Sequence, residues 1–190
     1  MTDAKYATFH KKHFSQAAQS GIINTIGART QRKIRGIHWS LQTEWRVYMK
    51  NILFVASECV PFVKTGGLAD VVGSLPKYFN KKEYDVRVMI PKYACIPQEW
   101  KDKMQYKTHF YMDLAWRSQY VGILEMEYEG VHFYFIDNEF YFAGFHPYGN
   151  IYEDIEKFAF FCKAALSAMP SLDFRPDIIH CHDWQTGLIP

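Results

Sequence analysis

The sequence is notable first for what is scarce in it. No stretch approaches the roughly 18 uninterrupted apolar residues needed to cross a bilayer. This excludes a helical membrane span. The opening residues lack the compact apolar core and small-residue cleavage site of a secretory signal, so the expected setting is cytoplasmic. Only four cysteines occur: Cys59, Cys95, Cys162 and Cys181. They are scattered and form no CxxC pair, which argues against a disulfide framework or zinc site and for buried free thiols in a reducing compartment. Basic residues form no dense run beyond Arg32-Lys33-Ile34-Arg35, which leaves a nucleic-acid partner without support. An apolar fraction of 48% and a charged fraction of 22% are ordinary for a globular chain, and 190 residues allow one domain with or without a tail.

The charge is unevenly spread. Residues 1–48 carry eight Lys/Arg against two Asp/Glu, whereas residues 49–190 carry fourteen against eighteen. A break of this kind separates a tail from a domain. The first segment has one weak amphipathic stretch (Phe14, Ala17, Ala18, Ile22, Ile23 and Ile26) and nothing to bury it. Residues 1–48 are therefore expected to be a disordered extension, or a stretch upstream of the native start at Met49. Residues 49–190 are expected to be the folded domain.

From Asn51 the pattern becomes regular. Ile52-Leu53-Phe54-Val55-Ala56 is a continuous apolar run, as in a parallel strand buried on both faces. A loop containing Pro61 leads to a helix expected from Gly67 toward Phe79, with Leu68, Val71, Val72, Leu75 and Phe79 on its apolar face and a kink at Pro76. Asp85–Pro91 reads as a second parallel strand, completing a right-handed crossover. Tyr106–Leu114, Gln119–Tyr128 and Val131–Ile136 read as further strands, and Glu129-Gly130 as the tight turn of a β-hairpin. The aromatic residues between Tyr128 and Tyr148 are read mainly as core or lid packing. Glu153–Met169 is a helix with Ile155, Phe158, Ala159, Cys162 and Leu166 on one stripe. Asp177–His182 reads as a buried strand ending at Asp183-Trp184, with Trp184 packed beneath the loop. The fold class is α/β: a Rossmann-like parallel sheet with an inserted β-hairpin region.

The stretch from Ser57 to Asp70 carries the chemistry. A strand leads through a loop to Lys64, two glycines and a helix N-terminus. Amides there lack intrahelical partners and the helix dipole favours an anion. Gly66 and Gly67 let the backbone approach a ligand closely because no Cβ intervenes. Lys64 precedes the glycines, which excludes a Walker A loop, and Gly66-Gly67 followed only by Gly73 excludes a GxGxxG fingerprint. The residues alone leave two readings open: a phosphate or diphosphate site, or a glycine-rich turn with a solvent-facing lysine. Glu58 is read as a residue that caps the loop. His180 and His182 share one face of their strand, but no third ligand is near in sequence, so no metal site is assigned.

Lys64-Thr65-Gly66-Gly67-Leu68-Ala69-Asp70-Val71-Val72-Gly73-Ser74-Leu75-Pro76 resembles the signature of bacterial glycogen synthases and plant starch synthases. The lead-in Ile52-Leu53-Phe54-Val55-Ala56-Ser57-Glu58 and the segment Arg175-Pro176-Asp177-Ile178-Ile179-His180-Cys181-His182-Asp183-Trp184-Gln185-Thr186-Gly187-Leu188 are similar to theirs in the same order. The resemblance implies a GT-B architecture, two Rossmann-like domains facing a cleft, of which this chain would hold an incomplete N-terminal domain. It implies transfer of glucose from ADP-glucose to the non-reducing end of an α-1,4-glucan, glycogen, with retention, and neither cofactor nor metal. Lys64 would pair with the donor diphosphate, Gly66 and Gly67 would offer amides, Tyr148 in Pro147-Tyr148-Gly149 would be a donor-site aromatic, and Asp183 the catalytic aspartate beside the donor sugar. The family's second domain and a further histidine match nothing here, so the chain alone is expected to be inactive.

Overall fold

The computed structural model describes residues 49–190; the expectation for residues 1–48 lies outside the described residues. Strand β1 (Lys50–Val55) is followed by helix α1 (Gly67–Ser74), a 3₁₀ turn (Leu75–Tyr78), β2 (Tyr84–Pro91), a short α2 (Gln98–Lys101), β3 (Gln105–Leu114), β4 (Arg117–Tyr128), β5 (Val131–Asp137), a short α3 (Glu139–Phe142), α4 (Ile151–Ala168) and β6 (Ile178–Cys181). One six-stranded sheet has the order β3-β4-β5-β2-β1-β6. The strands β5, β2, β1 and β6 run parallel, while β3 and β4 join antiparallel at one side. The hairpin region thus extends the same sheet.

The apolar run predicted for β1 is buried from Ile52 through Ala56, as a central parallel strand requires. Its register sets Phe54 opposite Val88 on one side and His180 on the other. Phe62, in the loop after β1, is packed edge-on against Phe133 and Phe135 of β5, with ring centroids 4.9 and 5.1 Å away. Tyr141 of α3 stacks on Phe160 of α4 at 4.5 Å, which fixes α4 to the end of β5. Glu129 and Gly130 both take positive φ (49° and 72°), the backbone a two-residue hairpin needs.

Several expectations need correction. Helix α1 ends at Ser74 and tightens into the 3₁₀ turn, because Pro76 offers no amide to continue it. Its buried face is Ala69, Val72 and Gly73, with Val71 and Leu75 facing solvent. Gly73 shifts the face: an added Cβ there would lie 2.4 Å from Val60 Cγ2 and 2.7 Å from Val60 O, so the helix presses its glycine side against the loop. In α4 the buried face includes Phe158, Phe161, Cys162 and Ala165, while Ile155 and Leu166 are exposed. Strand β6 is not buried on both faces: it is the sheet's edge among the described residues, and Ile178 and His180 are exposed. Trp184 is about half exposed (48%) rather than packed beneath the loop, its ring meeting Phe158 edge-on. Cys59 and Cys162 are buried, but Cys95 and Cys181 only partly so. The β3–β4 turn at Ala115-Trp116, with Ala115 at φ 53°, had no recognisable turn residue to announce it.

Candidate functional site

The topology selects the site before any side chain is considered. From β1 the chain moves outward on one side to β2 and then β5, and β6 returns to pair with the other side of β1. Such a reversal opens a crevice beyond the carboxyl ends of the two strands that flank it, here β1 and β6. The segment Ala56-Ser57-Glu58 leaves one of these ends and His182-Asp183 leaves the other.

On the β1 side the loop is tied down at three points. Cys59 and Val63 exchange backbone hydrogen bonds of 3.1 and 3.0 Å, and the amide of Val60 donates to the carbonyl of Ala69 at 3.1 Å. Glu58 is buried, and its Oε2 accepts from the Thr65 amide at 2.6 Å and from the Thr65 hydroxyl at 2.7 Å. Its role as loop cap is therefore visible in the geometry. With Thr65 so held, Gly66 has extended backbone (φ −150°) and caps α1 without a side-chain hydrogen bond. The opening amides of α1 are thereby left for a partner outside the helix. At Gly67 a Cβ would meet nothing within 4 Å, so the space before the helix is open. Lys64 Nζ lies 2.8 and 2.7 Å from the two carboxylate oxygens of Asp70, and both side chains are half exposed. Exposed pairs of this kind contribute at most about 1 kcal/mol, so Lys64 can transfer to a stronger anion at little cost.

On the β6 side Asp183 has φ 63° and ψ −178°, a region costly for any residue with a Cβ. Its carboxylate accepts from the Trp184 amide at 2.7 Å, and the Thr186 hydroxyl donates to the carbonyls of His182 and Asp183, at 2.9 and 3.1 Å. The side chain is thus aimed and held at the strand end. His182 is buried with its ring 4.3 Å from that of His180 and 5.0 Å from Phe54. Burial, helped by neighbouring His180, pushes its pKa down to about 4, and its Nε2 has no hydrogen-bond partner among the described residues.

Tyr148 joins the two sides. Its hydroxyl is 2.7 Å from Ser57 Oγ, and its pKa is raised by burial first, then by the charges of Glu58 and Asp183. The sequence contained no signal for how Tyr148 is placed. The Gly149 amide donates to both carboxylate oxygens of Asp154 (3.1 and 2.9 Å), and Lys157 Nζ bridges Asp154 and the Pro147 carbonyl at 2.7 and 2.9 Å. Asp154 is buried, so this pair at the start of α4 clamps the Pro147–Gly149 loop. An i, i+3 Asp/Lys spacing on a helix start is a weak sequence sign and reads first as a solvated pair.

The fold thus puts Lys64, Gly66 and Gly67 in the segment that leaves β1 and Asp183 directly after β6, the strand paired with β1, while the Tyr148 hydroxyl meets Ser57 at the end of β1. It offers uncapped helix amides and a half-exposed cation on the β1 side, and a carboxylate held at the end of β6. Such an arrangement can hold a phosphorylated ligand on one side and present an oxygen to its far end on the other. Among the described residues no three His, Cys, Asp or Glu side chains converge as a metal site, and no helix is long and apolar enough to cross a membrane.

Comparison with known proteins identifies the family of the chain. The chain is 73% identical over 142 residues to the glycogen synthase of Lachnoclostridium phytofermentans and 75% identical over 142 residues to that of Lachnospira eligens, in each case over 75% of this chain. It is 55% identical over 139 residues to the glycogen synthase of Anoxybacillus flavithermus. The chain spans about 30% of the length of these curated relatives. Among solved structures, the catalytic domain of starch synthase IV from Arabidopsis thaliana, bound to ADP and acarbose, superposes with a TM-score of 0.66 at 30% identity. That match covers 74% of this chain and 29% of that one. Residues 51–190, which include every candidate residue named above, match the starch synthase catalytic domain, and the chain belongs to that family.

Proposed function

We propose that this chain forms one wall of a glucosyl-transfer cleft in glycogen biosynthesis. The donor is ADP-glucose and the acceptor the non-reducing end of an α-1,4-glucan, with retention at the anomeric carbon. The observation that carries this reading is the parallel pairing of β1 with β6: it sets the segment leading to Lys64 and the uncapped glycine start of α1 beside the strand end that Asp183 follows, and the Tyr148 hydroxyl meets Ser57 there. The glycogen synthases it resembles and the ADP in the Arabidopsis relative support it.

In this reading the diphosphate lies against the Gly66 and Gly67 amides, and Lys64 leaves Asp70 to pair with it. The leaving diphosphate gains charge as its oxygen's bond to the anomeric carbon of the glucose breaks. Fixed amides and a cation stabilise that charge more than the ground state, which is where rate is gained. Asp183, held by the Trp184 amide, addresses the glucose end, and Tyr148 closes the side of the donor pocket. The setting that goes with this role is cytoplasmic.

The test is calorimetric titration of ADP-glucose into the 190-residue chain and its Lys64→Ala variant. Losing one charge-assisted contact to phosphate is expected to weaken binding by roughly 10- to 100-fold. The melting temperature should not change, because Lys64 is half exposed. Equal affinity in the two proteins, or no binding to the parent chain at millimolar donor, would overturn the assignment.

A further inference from the structure

Tyr148 stands between two anchored peptide groups. The Pro147 carbonyl before it accepts from Lys157 Nζ at 2.9 Å, and the Gly149 amide after it donates to both oxygens of the Asp154 carboxylate, at 3.1 and 2.9 Å. Asn150 then caps α4, its side chain accepting from the amides of Tyr152 and Glu153 at 3.0 and 3.2 Å. The backbone on either side of Tyr148 is therefore held by the opening turns of α4. The phenol projects from this held backbone to Ser57 Oγ, just past β1.

Stability alone is a poor reason for such an arrangement. Asp154 is buried, and the Lys157 side chain is only 14% exposed. Burying two opposite charges costs desolvation that their attraction roughly repays, and an apolar pair of the same volume is often at least as stable. What the pair supplies is a fixed geometry, because charge-assisted hydrogen bonds are short and directional. Here their targets are the two backbone groups that flank Tyr148. The same stretch of helix also touches the Asp183 side of the site. Phe158, next to Lys157, meets Tyr148 with ring centroids 5.9 Å apart and Trp184 edge-on at 5.4 Å. Trp184 follows Asp183, and its amide donates to the Asp183 carboxylate. Tyr148 and the Asp183 turn are thus both set against one helix.

We propose that Asp154 and Lys157 are positioning residues for donor binding, acting through Tyr148 rather than by contact with the donor. The proposal rests on the glucosyl-transfer reading. With Lys157 in place, the Tyr148 ring is ordered before a ligand arrives. Without it, the Pro147 carbonyl is released and Asp154 loses its cation. A donor must then order the loop itself, and its affinity falls by the fraction of time the ring is in position.

The test is a double-mutant cycle. ADP-glucose is titrated into the 190-residue chain, Lys157→Met, Tyr148→Ala and the double variant, and exchange of the Gly149 amide is followed by NMR without ligand. Lys157→Met is expected to weaken donor binding roughly three- to tenfold when Tyr148 is present, and less than about twofold once Tyr148 is alanine, because the residue it acts through is gone. Lys157→Arg keeps a cationic donor beside the Pro147 carbonyl and should bind within about twofold of the parent chain. The Gly149 amide should exchange faster in Lys157→Met, as its acceptor is no longer fixed. Should the unpaired buried carboxylate keep Lys157→Met from folding, Asp154→Asn/Lys157→Met leaves no lone charge and takes its place in the cycle. Equal weakening with and without Tyr148, or no weakening in either, would overturn the positioning role and leave the donor reading standing. A parent chain that binds no ADP-glucose at millimolar donor would remove the donor reading instead. Gly149 exchange unchanged in Lys157→Met would overturn the clamp itself, whatever the donor does.

Discussion

Strand β1 is buried without a break from Ile52 to Val55, whereas β3, four residues longer, buries only Met112. Both belong to one sheet. The parallel strands from β5 to β1 are covered on both faces, so their side chains meet solvent only near the strand ends, and the loop that leads to the proposed donor residues Lys64, Gly66 and Gly67 starts at the end of β1. The antiparallel pair is covered on one face and leaves Tyr106 and Tyr111 exposed, with Trp116 exposed at its turn. In a doubly covered sheet a ligand meets loops and helix termini, which suits the recognition of a diphosphate by backbone amides. An open antiparallel face offers side chains instead. The division between a loop-lined edge and an aromatic face follows from how each half of the sheet is covered.

The strongest test of that division is the residue that joins the two halves. Phe62 lies in the donor loop but packs on Phe133 and Phe135 of β5, on Trp100, and on Tyr128 at the hairpin turn. Phe62→Ala is expected to cost about 3–5 kcal/mol, the usual range for emptying a phenylalanine site in a core. Urea unfolding measures it. A loss below about 1 kcal/mol would mean that the donor loop and the hairpin region are stabilised separately.

Next in size is a change that acts on function alone. Asp183→Asn keeps the side-chain shape, and asparagine tolerates positive φ at least as well as aspartate. Tested in a synthase that carries this domain at full length, it should lower turnover roughly 10- to 100-fold while the melting temperature holds. A fall in stability with turnover per folded molecule intact would make Asp183 a structural cap for the Trp184–Thr186 turn.

Two glycines of the same helix sharpen the contrast further. Gly73→Ala forces a Cβ against Val60 and should destabilise by about 1–3 kcal/mol, as overpacking does. Gly67→Ala meets no protein atom within 4 Å and should stay within about 1 kcal/mol of the parent chain, yet weaken ADP-glucose binding by filling the space before the helix. Equal thermal shifts for the two variants would contradict this separation of packing from binding.

Much of this was legible in the sequence because the signals were local. An apolar run, a lysine ahead of two glycines, a Glu-Gly turn and an aspartate after a β-rich run each report on their own few residues. Where reading failed, the deciding contact came from elsewhere in the chain. The buried face of α1 is set by Val60 pressing on Gly73, and periodicity within the helix could not show it. The full burial expected of β6 presumed neighbours on both sides, but among the described residues β1 is its only strand partner. The placement of Tyr148 depends on Asp154 and Lys157, whose spacing alone reads as an ordinary surface pair. The turn at Ala115 carries none of the glycine, asparagine or aspartate that marks such turns.

The smallest effect expected is the most specific to one residue. His182 sits against Phe54 at the end of β6, and burial holds its pKa near 4, well below the roughly 6.5 of an unfolded histidine. Between these values the unfolded chain binds a proton that the folded chain refuses, so stability falls as the pH drops from about 6.5 toward 4 and is level above that window. His132 is depressed in the same direction, by burial first and then by Arg87, and adds to the slope. Glu129, Glu156 and Asp173, whose pKa values are lowered by their hydrogen-bonded partners, lose their contributions only at more acid pH. Comparing pH 7 with pH 5 therefore isolates the histidines. The parent chain should lose roughly 1–2 kcal/mol over this interval, with His182→Gln losing clearly less because glutamine does not titrate. The difference between the two slopes is the measurement, so any uniform cost of the substitution cancels. Parallel slopes would show that His182 accepts its proton in the folded chain as readily as in the unfolded one. The end of β6 would then be open to water, unlike the buried stretch of β1 beside it.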